Sequence, residues 1–177
     1  MNWQDTLTQS ALNLFRSLDD TRQGLLPALR REAGYRVLNG LLGRVIPFTA
    51  RNGLRITALR PGFIEAQLAL RGNHNHFGSM YAGALFMLAE IPGGAITLLD
   101  LGERTYPILR EMQMTYLQPA RSDVHIRFTL SDAERQRLVD ALRKQDRVEF
   151  SLNGELYDAE DRLVARSHAV YQLRRKA

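Results

Sequence analysis

One segment constrains the fold of this chain more than any other. From Gly78 to Leu99 nearly every residue is apolar, and Glu90 is the one charged residue among them. A surface helix is apolar along one stripe only, so this segment predicts a helix buried on every side. A membrane-spanning helix needs about 20 consecutive apolar residues, and Glu90 together with Pro92-Gly93-Gly94 interrupts the run too early. We therefore predict a central helix from Met80 to about Leu101, and no membrane span.

Apolar and polar residues alternate on both sides of this helix, which is typical of strands. Before it, Leu54–Ala58 and Ile64–Leu70 predict a hairpin around the turn at Arg60-Pro61-Gly62. After it we predict four strands, with a helix inserted at the capping box of Ser131 and Glu134. One face of the first of these strands is predicted to carry Ile108, Arg110, Met112, Met114 and Tyr116. The predicted fold class is α+β, with an antiparallel sheet wrapped around the long central helix.

The first part of the chain is predicted to be helical. Its apolar residues recur at helical spacing, and Gly34 is predicted to separate two short helices. A chain of 177 residues suits one domain better than two, and no linker-like stretch divides it. We expect residues 1–43 to form an N-terminal helical extension that packs on a single domain formed by residues 44–177.

Composition excludes several classes of function. The absence of cysteine removes disulfides, thiolate nucleophiles, zinc–cysteine sites and iron–sulfur clusters. The net charge of +5 suits an acidic small molecule, but the arginines are mostly scattered, so we do not expect nucleic-acid binding. No phosphate loop, dinucleotide fingerprint or serine nucleophile elbow is present. The first residues do not have the basic and apolar regions of a signal peptide, so we expect a cytoplasmic protein.

The chemistry is predicted to centre on Glu90 and Gly83. A carboxylate in apolar surroundings is costly unless the protein pairs it or uses it. Gly83 lies seven residues earlier, so both residues share one helix face, about 10 Å apart along the axis. Near the predicted cap at Ser79, backbone N–H groups lack intrahelical partners, and a glycine lets a ligand approach them. This pair suits a polarised carbonyl with a water beside it. An arginine ion pair at Glu90 and helix–sheet packing at Gly83 are the structural alternatives.

The loop before the helix contains further candidates. Asn75 and His76 could orient a water or a carbonyl, although both residue types are also common in turns. A metal site formed by His74, His76 and Glu90 is conceivable, but their spacing is not typical of zinc. We expect no metal and no cofactor.

Two stretches resemble a known family. Asn75-His76-Phe77-Gly78-Ser79-Met80-Tyr81-Ala82-Gly83-Ala84-Leu85-Phe86-Met87-Leu88-Ala89-Glu90 resembles the signature of hotdog-fold acyl-CoA thioesterases of the phenylacetate-pathway type. Met114-Thr115-Tyr116-Leu117-Gln118-Pro119-Ala120-Arg121 resembles the strand end that follows in those proteins. The resemblance covers residues 44–173 in element order and implies the hotdog fold.

The resemblance also implies site residues and a reaction. Asn75 matches the asparagine that positions the water or thioester, and Gly83 the glycine whose N–H polarises the carbonyl. Glu90 matches the catalytic carboxylate, which acts as general base or nucleophile. Tyr81 and Ala82 depart from the family, which usually has histidine and glycine there, and Tyr81 is expected to shape the acyl pocket. The implied reaction is hydrolysis of an acyl-CoA or acyl-carrier-protein thioester.

The implied partners are an acyl-CoA substrate and further copies of the chain. Arg121 is expected to hold the coenzyme A phosphates, with Arg110 and Arg127 as alternatives. His76 is expected to contact the substrate. The family site lies between subunits, which implies a homodimer or a dimer of dimers. Two other functions stay open: a non-catalytic module that binds acyl groups or acyl-CoA, and a hotdog hydratase or dehydratase.

Overall fold

The computed structural model describes residues 25–97, 101 and 105–175, and only the backbone of residues 25–31. One six-stranded sheet organises this part of the chain. The helices are α1 (Leu25–Val45), α2 (Pro47–Asn52), α3 (Ala82–Ala95) and α4 (Asp132–Lys144). The strands are β1 (Arg55–Arg60), β2 (Phe63–Leu68), β3 (Thr105–Tyr116), β4 (Val124–Thr129), β5 (Arg147–Asp158) and β6 (Leu163–Arg175). The strand order is β1-β2-β4-β5-β6-β3, and every pairing is antiparallel. The predicted α+β class is confirmed.

Helix α3 is the central helix that the apolar segment predicted. It packs against β2, β3, β4, β5 and β6, and Leu88 and Ala89 are completely buried. Tyr81, not Ser79, occupies the N-cap position, because Ser79 is held within the preceding loop. Pro92 lies inside the helix rather than ending it. In the described ranges, no helix has the length and apolar character needed to cross a bilayer.

Alternation along the strands sets the two faces of the sheet. In β5, residues from Val148 to Leu156 alternate between the core and the outer face. A β-bulge between Leu109 and Glu111 interrupts this alternation in β3. As a result Leu109 shares the inner face with Met112, whereas Ile108 pairs with Gln172 on the outer face. The predicted common face of Ile108, Arg110 and Met112 is therefore wrong, because the bulge adds one residue to the strand.

Helix α1 covers the β1 edge of the sheet. The Asn39 amide nitrogen donates to the Ile56 carbonyl oxygen at 3.0 Å, and the Ile56 N–H donates to Asn39 Oδ1 at 2.7 Å. The Leu59 N–H donates to the Tyr35 hydroxyl at 3.0 Å. The helix runs through Gly34, so the predicted break there is wrong. The predicted division between residues 43 and 44 stays a prediction, and residues 1–24 of the predicted extension lie outside the described ranges.

The β3 edge differs from the β1 edge. Strand β3 pairs with β6 on one side, and no described strand pairs with its other side. An uncovered edge presents backbone N–H and C=O groups to any strand that approaches it. The start of α3 lies beside this strand, since the Tyr116 hydroxyl donates to the Ala82 carbonyl oxygen at 3.2 Å.

Candidate active site

The loop between β2 and α3 is tied down on both sides. Asn73 is buried, and its amide nitrogen donates to the carbonyl oxygens of Asn52 and Ala69 at 2.8 and 2.9 Å. The Asn73 carbonyl oxygen in turn accepts the Tyr81 N–H at 2.8 Å. The Met80 N–H donates to the Ala120 carbonyl oxygen, also at 2.8 Å. These bonds fix the position at which α3 begins.

Asn75 shapes this loop from within. Its Oδ1 accepts the Phe77 N–H at 2.9 Å and both the N–H and the hydroxyl of Ser79 at 3.3 Å. The side-chain oxygen is thus committed to the loop, which leaves the amide nitrogen to act as a donor. His76 is exposed and packs against the Phe77 ring, with the ring centroids 3.8 Å apart.

Gly83 is the second residue of α3 and is exposed. The N–H groups of Ala84 and Leu85 donate to the Tyr81 carbonyl oxygen, but no described group accepts the Gly83 N–H. A Cβ at Gly83 would lie 2.7 Å from Tyr81 Cε1, and its three nearest atoms would all belong to Tyr81. Gly83 therefore does not serve helix–sheet packing; it lets the Tyr81 ring lie close to an unpaired backbone donor.

Glu90 lies on the same side of α3 as Gly83. Ala82, Gly83 and Phe86 are exposed, and Glu90 is half-buried, so these residues form a stripe that the sheet does not cover. We call it the open stripe. Within the described part of the single chain, the predicted burial on every side does not extend to this stripe, because the sheet packs against the other faces of α3.

The environment of Glu90 is that of an unpaired carboxylate. No described cation forms an ion pair with it, so the ion-pair alternative finds no support in these ranges. Burial raises the pKa of the Glu90 carboxyl above its ordinary value. A carboxylate with a raised pKa is a stronger base than an exposed glutamate, which suits it to accept a proton from water.

The structure brings some of the other candidates to this region. Arg121 is exposed and follows Ala120, whose carbonyl oxygen binds the residue before Tyr81. Arg127 lies instead on the outer face of the sheet, where its Nε donates to Glu65 at 2.5 Å. Within the described residues, no group of three or more histidines and acidic residues is close enough to hold a metal ion, and this includes His74, His76 and Glu90.

Two tyrosines next to the site were not singled out from the sequence. Tyr116, at the end of β3, binds the first residue of α3 through its hydroxyl. Tyr171, on β6, is almost fully buried, and its hydroxyl donates to the Glu90 carbonyl oxygen at 2.7 Å. Both side chains point towards α3, as the alternation along their strands predicts. Alternation does not predict which residue of α3 each side chain contacts.

Comparison with known protein families gives a match to most of the chain. Residues 34–173 match the family described as a domain of unknown function, DUF4442. A comparison with curated proteins finds no match.

Solved structures share the fold. A Pseudomonas aeruginosa protein described as a probable thioesterase is 40% identical, with a TM-score of 0.73, over 77% of this chain and 93% of its own. A Haemophilus influenzae thioesterase is 20% identical, with a TM-score of 0.64, over 80% of this chain and 90% of its own. A Chlorobaculum tepidum protein of unknown function is 16% identical, with a TM-score of 0.72, over 82% of this chain and 96% of its own. The chain belongs to the DUF4442 family, and its fold is that of the hotdog thioesterases.

Proposed function

We propose that this protein hydrolyses acyl-CoA or acyl-carrier-protein thioesters with a water activated by Glu90. The observation that carries this proposal is the open stripe, where an unpaired N–H at Gly83 and a carboxylate of raised pKa at Glu90 share one face of α3. The 40% identical Pseudomonas aeruginosa protein described as a probable thioesterase supports the same reaction class.

The reaction follows from the chemistry of these two groups. The Gly83 N–H donates to the thioester carbonyl oxygen, and the positive end of the α3 dipole stabilises the charge that develops there. The Glu90 carboxylate removes a proton from a water as the water attacks the carbonyl carbon. Collapse of the tetrahedral intermediate breaks the carbon–sulfur bond. The protonated Glu90 then returns its proton to the departing thiolate.

Other residues complete the proposed site. The Asn75 amide nitrogen orients the water or the thioester, since its oxygen already holds the loop. Tyr81 and His76 contact the substrate near the start of α3, and Arg121 binds the coenzyme A phosphates as an exposed cation at that end of the sheet. No cofactor takes part in this proposal.

We also propose that the active unit is a homodimer, which could pair further into a dimer of dimers. The uncovered β3 edge and the exposed side chains of Phe77, Tyr81 and Phe86 near the start of α3 support this assembly. A second copy that pairs along β3 would cover the open stripe and enclose the site between subunits. The cytoplasmic location stays a prediction.

Glu90→Gln tests the proposed reaction. Parent and variant are assayed for thiol release from acetyl-, hexanoyl-, palmitoyl- and benzoyl-CoA, with the exposed Glu32→Gln as the matched control. The amide keeps the shape but removes the base, so we expect Glu90→Gln to lose about 100- to 10,000-fold in rate and Glu32→Gln to retain the parent rate. A parent that turns over none of these thioesters or their acyl-carrier-protein equivalents, or an active Glu90→Gln, would contradict the proposal.

A non-catalytic acyl-CoA-binding module is the second candidate. It is favoured by the position of the Tyr81 ring, because its Cε1 lies only 2.7 Å from where a Cβ of Gly83 would stand, next to the N–H proposed to bind the carbonyl. Calorimetry with a non-hydrolysable thioether analogue of acyl-CoA separates the two candidates. Binding of the analogue without any thioester turnover would support the module.

A further inference from the structure

The Tyr171 hydroxyl is a buried polar group that the proposed reaction does not use. It donates to the Glu90 main-chain carbonyl oxygen at 2.7 Å and thereby links β6 to the turn of α3 that carries Glu90. The ring is 1% exposed and stacks on Phe150 of β5, with the ring centroids 5.3 Å apart. Burial and the nearby Glu90 carboxylate both raise the pKa of Tyr171, so its hydroxyl remains a neutral donor.

The same turn of α3 is adapted to this contact. A Cβ at Gly93 would lie 2.4 Å from the Tyr171 hydroxyl oxygen, so only glycine there leaves room for the phenol. Pro92 has no N–H, so the helix lacks the backbone bond from residue 92 to residue 88. The turn around Glu90 is therefore held less by its own helix, and Tyr171 provides a bond to the sheet at that point.

We propose that Tyr171 is a positioning residue for Glu90, an inference that rests on the proposed thioesterase function. Its hydroxyl fixes the backbone from which the Glu90 side chain extends and so sets the distance between carboxylate and attacking water. General-base catalysis needs a heavy-atom distance of about 2.6–3.2 Å, so a small displacement of this turn removes the productive contact. Gly93 and Phe150 support the role by giving the phenol a single position.

Tyr171→Phe tests this role, because it removes the hydroxyl and keeps the stacked ring. Tyr35→Phe is the matched control: the Tyr35 hydroxyl also binds a main-chain group between a helix and the sheet, but at Leu59 on β1. We expect both variants to lower the melting temperature by similar amounts. Only Tyr171→Phe should lower kcat, by about 10- to 100-fold, with KM for the best-hydrolysed acyl-CoA unchanged.

A second measurement separates positioning from a loss of structure. In the Glu90→Gln background, Tyr171→Phe should not reduce the residual rate further, because no carboxylate is left to position. A parent-like kcat for Tyr171→Phe, an equal loss of kcat in Tyr35→Phe, or a full additional loss in the double variant would overturn the inference. If Glu90→Gln itself retains the parent rate, the proposed function fails and this inference fails with it. An inactive Glu90→Gln beside a fully active Tyr171→Phe removes the positioning role alone.

Discussion

Glu90 is held in surroundings that favour its protonated form. Burial raises its pKa, and no described arginine or lysine offsets that effect. A general base works only when it is deprotonated, so kcat/KM should fall as pH drops through the raised Glu90 pKa. We expect the acidic limb of the pH–rate profile to lie above the ordinary glutamic acid value of 4.5. A profile that stays flat down to pH 4.5 would contradict the assigned base.

The same raised pKa predicts how stability depends on pH. A carboxyl whose pKa is higher in the folded state stabilises the fold below its unfolded pKa, and this contribution is lost as pH rises through the folded value. Glu90→Gln should therefore melt at or above the parent temperature at pH 7, and the two curves should converge below pH 4.5. Calorimetry across that range checks the sign, and a variant that melts far below the parent at pH 7 would indicate a structural ion pair instead.

The sequence was enough to predict Gly83 and Glu90 as site residues in the open stripe, but not the contact of Tyr171 with Glu90. Gly83 and Glu90 could be selected because helical spacing alone places them on one face. Tyr171 could not, because its position against Glu90 depends on strand order, which brings residue 171 across from residue 90. The prediction that Ser79 caps the helix is wrong because the N–H and hydroxyl of Ser79 both donate to Asn75 within the loop.

The β1 edge of the sheet is covered by a side chain of helix α1. Asn39 imitates a strand, since its side-chain amide both donates to and accepts from the backbone of Ile56. Asn39→Ala leaves two backbone groups of β1 without these partners, so we expect it to lower the free energy of unfolding by about 1–3 kcal/mol. The control is Asn52→Ala, which removes only an exposed bond to the Phe48 carbonyl oxygen. Urea denaturation measures both variants, and equal losses would contradict the edge role of Asn39.

The β5–β6 turn depends on one buried carboxylate. Asp158 accepts the N–H groups of Glu160 and Arg162 at 3.1 and 2.9 Å and forms an ion pair with the Arg162 guanidinium at 2.7 Å. Burial alone would raise the pKa of Asp158, but the hydrogen bonds and charge of Arg162, with the Glu160 N–H, outweigh burial and lower the pKa. A lowered folded pKa stabilises the protein above the unfolded value, and this is lost as pH falls through the folded value.

Asp158→Asn should therefore destabilise the protein at pH 7, by roughly 2 kcal/mol, because the amide has one acceptor oxygen for the two backbone N–H groups and the Arg162 guanidinium that the carboxylate binds. The deficit should shrink as the pH falls from 3.8 through the lowered folded pKa of Asp158, because the parent carboxyl then becomes neutral like the amide. Thermal melts of both proteins between pH 7 and pH 2.5 provide the measurement. Asp158→Asn is expected to lower the melting temperature at pH 7, whereas Glu90→Gln is expected to keep or raise it. Each variant is therefore a control for the direction of the other's shift.

Element order was predictable from the sequence, whereas element boundaries depended on tertiary contacts. Alternation and the Ser131–Glu134 capping box identified the strands and α4, and the cap bond is present at 3.2 Å. Helix α1 continues through Gly34 because Tyr35 and Asn39, which follow it in the same helix, form hydrogen bonds with the backbone of β1. The bulge in β3 could not be predicted, since nothing local marks the extra residue between Leu109 and Glu111.

At the scale of the molecule, the described chain closes one sheet edge and leaves the other uncovered. Helix α1 covers β1, which opposes pairing with another chain there. No described element covers strand β3 in this way, and the exposed apolar side chains of Phe77, Tyr81 and Phe86 lie around the start of the neighbouring helix. Exposed apolar groups next to an uncovered edge are typical of an interaction surface. In the proposed dimer both copies use this same surface, which closes the assembly instead of extending it into a fibre.

Native mass and amide exchange test this assembly together. Each chain has a mass of 20.2 kDa, so sedimentation should give about twice that value, or four times if dimers pair. The outward-facing N–H groups of β3 should exchange slowly at high protein concentration and quickly after dilution below the dissociation constant. The Ile56 N–H is an internal control, because Asn39 of the same chain protects it in both states. A protein that sediments as a monomer, or whose β3 exchange does not respond to dilution, would leave the open stripe uncovered and contradict a site shared between subunits.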